Sequence, residues 1–175
     1  KLEPIDLARE ALNVAEFFEP ATAEAQQHIA IEGAAIARCD RSMARRAITN
    51  LISNAVRYSP PGASIMVRAA QSANDARLEV ENPAAPRSPD ELRRLFARFD
   101  RGRFGGGIAA EEIAADGADR AGLGLGLSIV ESIMRLHGGR VTAESGTFGV
   151  RFSLVFPLRD VSRQTGASPF RLPGP

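Results

Sequence analysis

The sequence predicts an α+β fold, a two-layer sandwich in which a mixed, mostly antiparallel sheet is covered on one face by helices. Three observations carry this. Met43, Ala44, Ala47, Ile48, Leu51, Ile52, Ala55 and Tyr58 recur at helical spacing, which describes an amphipathic helix. Phe148, Val150, Phe152, Leu154 and Phe156 alternate strictly, as a strand with one buried face does. Helical and strand patterns are interspersed without repeated βαβ units, which favours helices packed on one side of a sheet.

Along the chain, Asp6 is an N-cap for a helix with Ala8, Ala11, Leu12, Ala15 and Phe18 on its apolar face, and Pro20 is expected to kink or end it. His28–Glu32 and Ala34–Cys39, separated by Gly33, read as the strands of a hairpin or near-hairpin. Asp40 caps the central helix, which Ser59-Pro60-Pro61-Gly62 stops. Ser64–Gln71 and Arg77–Asn82 read as strands paired about the turn Ala73-Asn74-Asp75, with Leu78 and Val80 alternating against Arg77, Glu79 and Glu81. Asp90–Phe99 is predicted helical, and 100–121 is a Gly- and Ala-rich stretch long enough to be a lid. A helix from about Gly122 to Leu136 ends at Gly138-Gly139 and is followed by strands Arg140–Glu144 and Phe148–Phe156. Residues 1–157 are expected to form one domain, with 158–175 a disordered polar tail.

Composition removes several functions. Of 22 basic residues only Lys1 is a lysine, so phosphate schemes that need an interior lysine, the Walker A loop among them, are excluded. Net charge is +1 with scattered basic residues, which argues against a nucleic-acid partner. One cysteine, Cys39, makes no internal disulfide, and no apolar run approaches the ~18 residues of a membrane span. The abrupt start reads as a piece of a longer protein, expected on the cytoplasmic side.

Asn50, Asn54 and Arg57 share a stripe beside the apolar face of the central helix. Asparagine oxygens can ligate magnesium without adding charge near phosphates, and an arginine can donate to phosphate oxygen. Taken alone, such a stripe is more often a solvated face. The glycines Gly122, Gly124 and Gly126 fall where a loop becomes a helix and leave backbone N–H groups open to an anion, although a hinge or tight packing would look the same. Together the two segments point to a magnesium-bearing polyphosphate.

Three stretches then coincide with one family. Asn50-Leu51-Ile52-Ser53-Asn54-Ala55-Val56-Arg57-Tyr58, Leu95-Phe96-Ala97-Arg98-Phe99-Asp100-Arg101 and Gly122-Leu123-Gly124-Leu125-Gly126-Leu127-Ser128-Ile129-Val130 closely resemble, in order and spacing, the N, F and second glycine boxes of sensor histidine kinases. Val80-Glu81-Asn82-Pro83 and Leu136-His137-Gly138-Gly139 look most like the heavy-metal-responsive members. The resemblance implies the Bergerat sandwich, ATP and Mg2+ as cofactors, and transfer of the γ-phosphoryl group to a histidine on a separate dimerisation domain. A response regulator would then receive it. Asn54 is implied as the metal ligand, with Asn50, Arg98 and Arg101 as the catalytic set beside the triphosphate. Arg57, Tyr58, Asn82, Phe96, Phe99, Gly122, Leu123, Gly124, Leu125 and Gly126 are implied as further nucleotide-site residues. The implied setting is the cytoplasmic part of an inner-membrane sensor, a homodimer only at full length.

Asn82 stands where the family usually has an aspartate for the adenine amino group, and Pro83-Ala84-Ala85-Pro86 replaces glycines after it. An amide can still accept but lacks the strengthening charge. A degenerate binding module is therefore an alternative, and a water-using ATPase of the gyrase or MutL type is another. Asn50 in place of the activating glutamate of that type counts against the second. His28 is expected at a strand edge and His137 at a helix C-terminus, where the dipole favours it. Neither has the setting of a phosphoacceptor, so the chain alone is not expected to autophosphorylate.

Overall fold

A computed structural model describes residues 1–88, 90–92 and 125–158. The elements run β1 (Glu3–Asp6), α1 (Leu7–Glu24), β2 (His28–Gly33), β3 (Ile36–Cys39), α2 (Arg41–Tyr58), β4 (Ser64–Gln71), β5 (Asp75–Asn82), α3 (Leu125–Leu136), β6 (Arg140–Gly146) and β7 (Gly149–Pro157). Five strands form one sheet in the order β2-β4-β5-β7-β6, and β1 and β3 form a separate two-stranded sheet. Within the larger sheet β2 and β4 are parallel and the other pairs antiparallel. The α+β sandwich expected from the sequence is thus observed.

Packing follows the periodicities. Ala44, Ala47, Ile48, Leu51, Ile52 and Ala55 of α2 join Val130 and Met134 of α3 in a core with Ile65, Val67, Leu78, Val80, Leu154 and Phe156 of the sheet. Each large apolar side chain so buried contributes about 1.5–3 kcal/mol. Met43 and Tyr58, the outer members of the expected helical stripe, are exposed instead. The opposite sheet face is a ladder of alternating charge: Glu32, Arg68, Glu81, Arg151 and Glu144, one from each strand in sheet order. The β4–β5 hairpin forms as expected, its turn held by Ser72, whose Oγ accepts from the backbone N–H groups of Asn74 and Asp75.

Three expectations are corrected. First, β2 and β3 are not a hairpin: β2 pairs with β4 in register His28↔Ser64 to Gly33↔Ala69, and β3 pairs with β1, a strand the sequence reading missed. Gly33 makes the separation. Its φ of +78° turns the chain out of the sheet, and a Cβ there would stand 2.0 Å from Ala69 O. Second, of the two outcomes expected at Pro20, it does not end the helix: α1 continues past it to Glu24. Proline forfeits a single backbone N–H, and the chain stays helical through Thr22, which is buried and whose hydroxyl donates to Phe18 O at 3.0 Å. Third, Leu12 is exposed, and the buried stripe of α1 runs Leu7, Ala11, Val14. The same stripe carries Glu10, a buried carboxylate that the apolar pattern did not reveal.

Of the predicted helix 90–99 only 90–92 are described, and they are helical. Ser88 and Glu91 cap them reciprocally: Ser88 N–H donates to the Glu91 carboxylate at 2.7 Å and Glu91 N–H to Ser88 Oγ at 3.3 Å. The stretch 100–121 and the tail 159–175 lie outside the described residues.

Candidate functional site

The site is built on α2 and α3, which run antiparallel. Two contacts fix this: His137, just beyond α3, meets Asp40 at the start of α2, and Gly126 in the first turn of α3 meets Asn50 in the middle of α2. Ten residues forward along one helix match eleven backward along the other, about 15 Å of rise in each case.

Both helices are placed by local chemistry. Asp40 caps α2, its carboxylate accepting from Met43 N–H at 3.1 Å. Its own backbone N–H donates to His137 Nε2 at 3.0 Å, while His137 Nδ1 lies 2.7 Å from Ile133 O. Those partners assign the proton to Nδ1, so the ring that joins the ends of the two helices is neutral. His137 is therefore at a helix C-terminus, as expected, but acts there through hydrogen bonds rather than charge. It also meets the edge of Phe156, with ring centroids 5.9 Å apart. His28 lies on the edge strand β2.

Asn50 is oriented by its helix. Its Nδ2 donates to Arg46 O at 2.9 Å, which turns Oδ1 toward Gly126; a Cβ at Gly126 would stand 3.0 Å from that oxygen. Residues 76 positions apart are thereby joined, and only a glycine leaves the amide oxygen undisturbed. One turn on, Asn54 is half-buried and its side chain has no hydrogen-bond partner among the described residues. Arg57 and Tyr58 are exposed on the last turn of α2, the guanidinium 5.8 Å from the ring centroid. The neutral, hard oxygens of Asn50, at the first turn of α3, and of Asn54, one turn further along α2, are a donor set whose chemistry fits a phosphate-bound magnesium ion.

Asn82 ends β5 opposite Val150 and is 4% exposed, and the one hydrogen bond of its side chain among the described residues is a 3.4 Å contact from Nδ2 to Pro83 O. Gly149, at φ +106°, presses on the loop that follows: a Cβ there would come within 2.2 Å of Asn82 O and 2.7 Å of Ala84 N. Asn82 has no hydrogen bond to the asparagines of α2 among the described residues. Leu125 begins α3. Phe96, Arg98, Phe99, Arg101, Gly122, Leu123 and Gly124 lie outside the described residues. Sequence reasoning missed two groups around the site. Glu10 joins α1 to α2 through Arg41 and Arg45, at 3.0 Å to Arg41 Nη1 and 2.8 Å to Arg45 Nε. Gln27 reaches the last turn of α2. No local motif marks either; only the buried polarity does.

An antiparallel helix pair over a mixed sheet, with an asparagine face meeting a glycine helix start, defines an ATPase class: residues 39–160 match the family described as histidine kinase-, DNA gyrase B- and HSP90-like ATPase, and the chain belongs to it. It is the histidine kinase branch that the relatives represent. The chain is 41% identical over 120 residues to the sensor histidine kinase CusS of Escherichia coli O157:H7, covering 69% of this chain and 23% of that protein. It is 35% identical over 143 residues to the probable sensor protein PcoS of Escherichia coli, covering 80% and 28%. The chain thus spans about a quarter of the length of these relatives. Among solved structures, the catalytic domain of histidine kinase ThkA shares the fold with a TM-score of 0.68 at 19% identity, covering 90% of this chain and 97% of that one. ThkA in complex with the response regulator protein TrrA gives 0.64 at 20% identity, covering 89% and 42%.

Proposed function

We propose that this chain is the module of a two-component sensor kinase that binds Mg-ATP and presents its γ-phosphoryl group to a histidine on a dimerisation domain. A response regulator then takes the phosphoryl group. The observation that supports the reading is the approach of Asn50 Oδ1 to Gly126, which brings the asparagine-bearing helix against the first turn of α3.

Asn54 holds the cation, Asn50 stands beside the triphosphate and Arg57 donates to phosphate oxygens. Arg98 and Arg101 complete the charge neutralisation, and Phe96 and Phe99 anchor a lid at 100–121. The backbone N–H groups of Gly122, Leu123, Gly124, Leu125 and Gly126 are assigned to the phosphates, as anion donors at a helix start. Bound magnesium supplies charge neutralisation on the phosphates. The reaction needs positioning and electrostatics more than covalent help, and Asn50, unlike a carboxylate, does not activate water, which favours transfer over hydrolysis. The working unit is residues 1–157, placed on the cytoplasmic side of a membrane sensor that dimerises at full length.

Titration of a fluorescent ATP analogue with magnesium into wild type and Asn54→Ala tests the metal assignment; equal affinity in both removes it. Mixing the domain with a separately made dimerisation domain and labelled ATP tests the transfer, with phosphohistidine as the product sought. One observation favours a second reading, a weakly binding regulatory module: Asn82 is buried with its amide turned to its own Pro83. Nucleotide binding without phosphohistidine would support that reading.

A further inference from the structure

The last carbonyls of a helix lack partners within it. At the end of α2, Gln27 provides one from outside. Its Nε2 donates to Val56 O at 3.1 Å and Ser59 O at 3.0 Å, with Pro60 O at 3.4 Å. Arg57 and Tyr58 sit between the carbonyls so held. The amide orientation is forced, because reversal would turn its oxygen onto three other oxygens. Gln27 instead keeps Oε1 buried without a hydrogen-bond partner among the described residues.

The way α1 ends delivers this side chain. Gln26 adopts φ +55°, its N–H donates to Ala23 O at 3.1 Å, and Gln27 N–H donates to Thr22 O at 2.8 Å, the two bonds of a Schellman end. Flanking backbone bonds, Gly62 N–H to Ala25 O and His28 N–H to Ala63 O, both 2.9 Å, close the same two loops on each other. Ser59 completes the turn, its Oγ donating to Ala55 O at 2.6 Å.

We propose that Gln27 is a positioning residue of the nucleotide site: through the carbonyls of Val56, Ser59 and Pro60 it fixes the turn that presents Arg57 and Tyr58. The proposal rests on the assignment of those two residues to nucleotide contact. A turn already held in place surrenders less freedom when ligand arrives, so its effect falls on affinity rather than on the rate of transfer.

Tyr58 is the only tyrosine and the chain has no tryptophan, so intrinsic emission reports on this turn alone. Gln27→Met keeps length and shape but removes the donor; Gln27→Lys restores N–H donation, and a cation is favoured at a helix C-terminus. Gln27→Met is expected to lower Tyr58 anisotropy and weaken Mg-ATP binding about fivefold to tenfold, with phosphotransfer at saturating nucleotide unchanged. Gln27→Lys is expected to recover most of both. Space-filling alone would give the reverse order, with Met equal to wild type and Lys impaired, and that order overturns the proposal. Arg57→Ala is the control. If it weakens binding while Gln27→Met binds normally, the role of Gln27 alone falls; if it binds normally, the assignment beneath falls, and the proposal with it. Should Gln27→Met not fold, Gln27→Leu against Gln27→Lys gives the same comparison, since leucine also fills the space without an N–H donor: leucine impaired with lysine near wild type supports the proposal, and the reverse order overturns it.

Discussion

Replacing Gly126 by alanine separates the stability of α3 from the work of the site. The added methyl would stand 3.0 Å from Asn50 Oδ1, 3.6 Å from its Cγ and 3.8 Å from its Cβ, whereas ordinary contact begins at 3.4 Å. The amide oxygen must therefore retreat by about 0.4 Å. It cannot do so by a free rotation, because Nδ2 is held by Arg46 O at 2.9 Å, so the whole carboxamide shifts or that bond stretches. For the fold, alanine in place of helical glycine gains up to about 1 kcal/mol, and a strained neighbour costs about 0.5–1.5 kcal/mol. Net stability is expected within about 1 kcal/mol of wild type. For the site, displacing by a few tenths of an ångström a group that the proposed function sets beside the triphosphate is expected to weaken Mg-ATP binding about tenfold, equivalent to about 1.4 kcal/mol. Urea denaturation reads the first quantity and titration with a fluorescent ATP analogue the second. In an Asn50→Ala background the same substitution should cost no further affinity, because the two residues act as a pair. An alanine variant that binds as wild type, or an undiminished penalty in that background, would refute the reasoning.

Glu10→Gln is expected to destabilise the fold by about 1.5–3 kcal/mol in urea titration, since it removes charge-assisted bonds to Arg41 and Arg45 from a carboxylate that is 1% exposed. The loss stays below that of a wholly buried pair because both arginines are about half exposed and regain water. Gln26→Gly should stabilise by about 1 kcal/mol, measured the same way, because the left-handed φ of +55° strains any residue with a Cβ. Burial, with the nearby Asp40 and Glu10 charges adding to it, pushes the Cys39 thiol from 9.0 up to about 11. The folded chain therefore holds this proton where the unfolded chain loses it, so stability falls as pH rises from about 9 toward 11, by at most about 1.4 kcal/mol per pH unit. Cys39→Ala should flatten that part of the curve in chemical denaturation at stepped pH.

Some of this protein was legible residue by residue. The span of α2 followed from its cap and its three-four spacing, the β4–β5 hairpin from alternation about a polar turn, and the end of α3 from Gly138-Gly139, where Gly139 N–H bonds Met134 O. The capping box at Ser88 and Glu91 was also readable, from a serine three residues before a glutamate, and was overlooked. In each case the determining interactions span a few residues, so local order records them.

What the sequence alone determined is most of the elements, β1 excepted, most of their faces and the chemistry on offer: two asparagines one helical turn apart and a glycine run before an apolar helix. Only the tertiary structure decided how they combine. The choice of β4 rather than β3 as the partner of β2 is invisible to alternation, because any two half-buried strands alternate alike and the backbone turn at Gly33 selects between them. The burial of Glu10 and the aim of Gln27 depend on elements far away in the chain. The meeting of Asn50 with Gly126 exists because two helices pack antiparallel across the sheet, and packing is a property of surfaces brought together, which no single segment encodes.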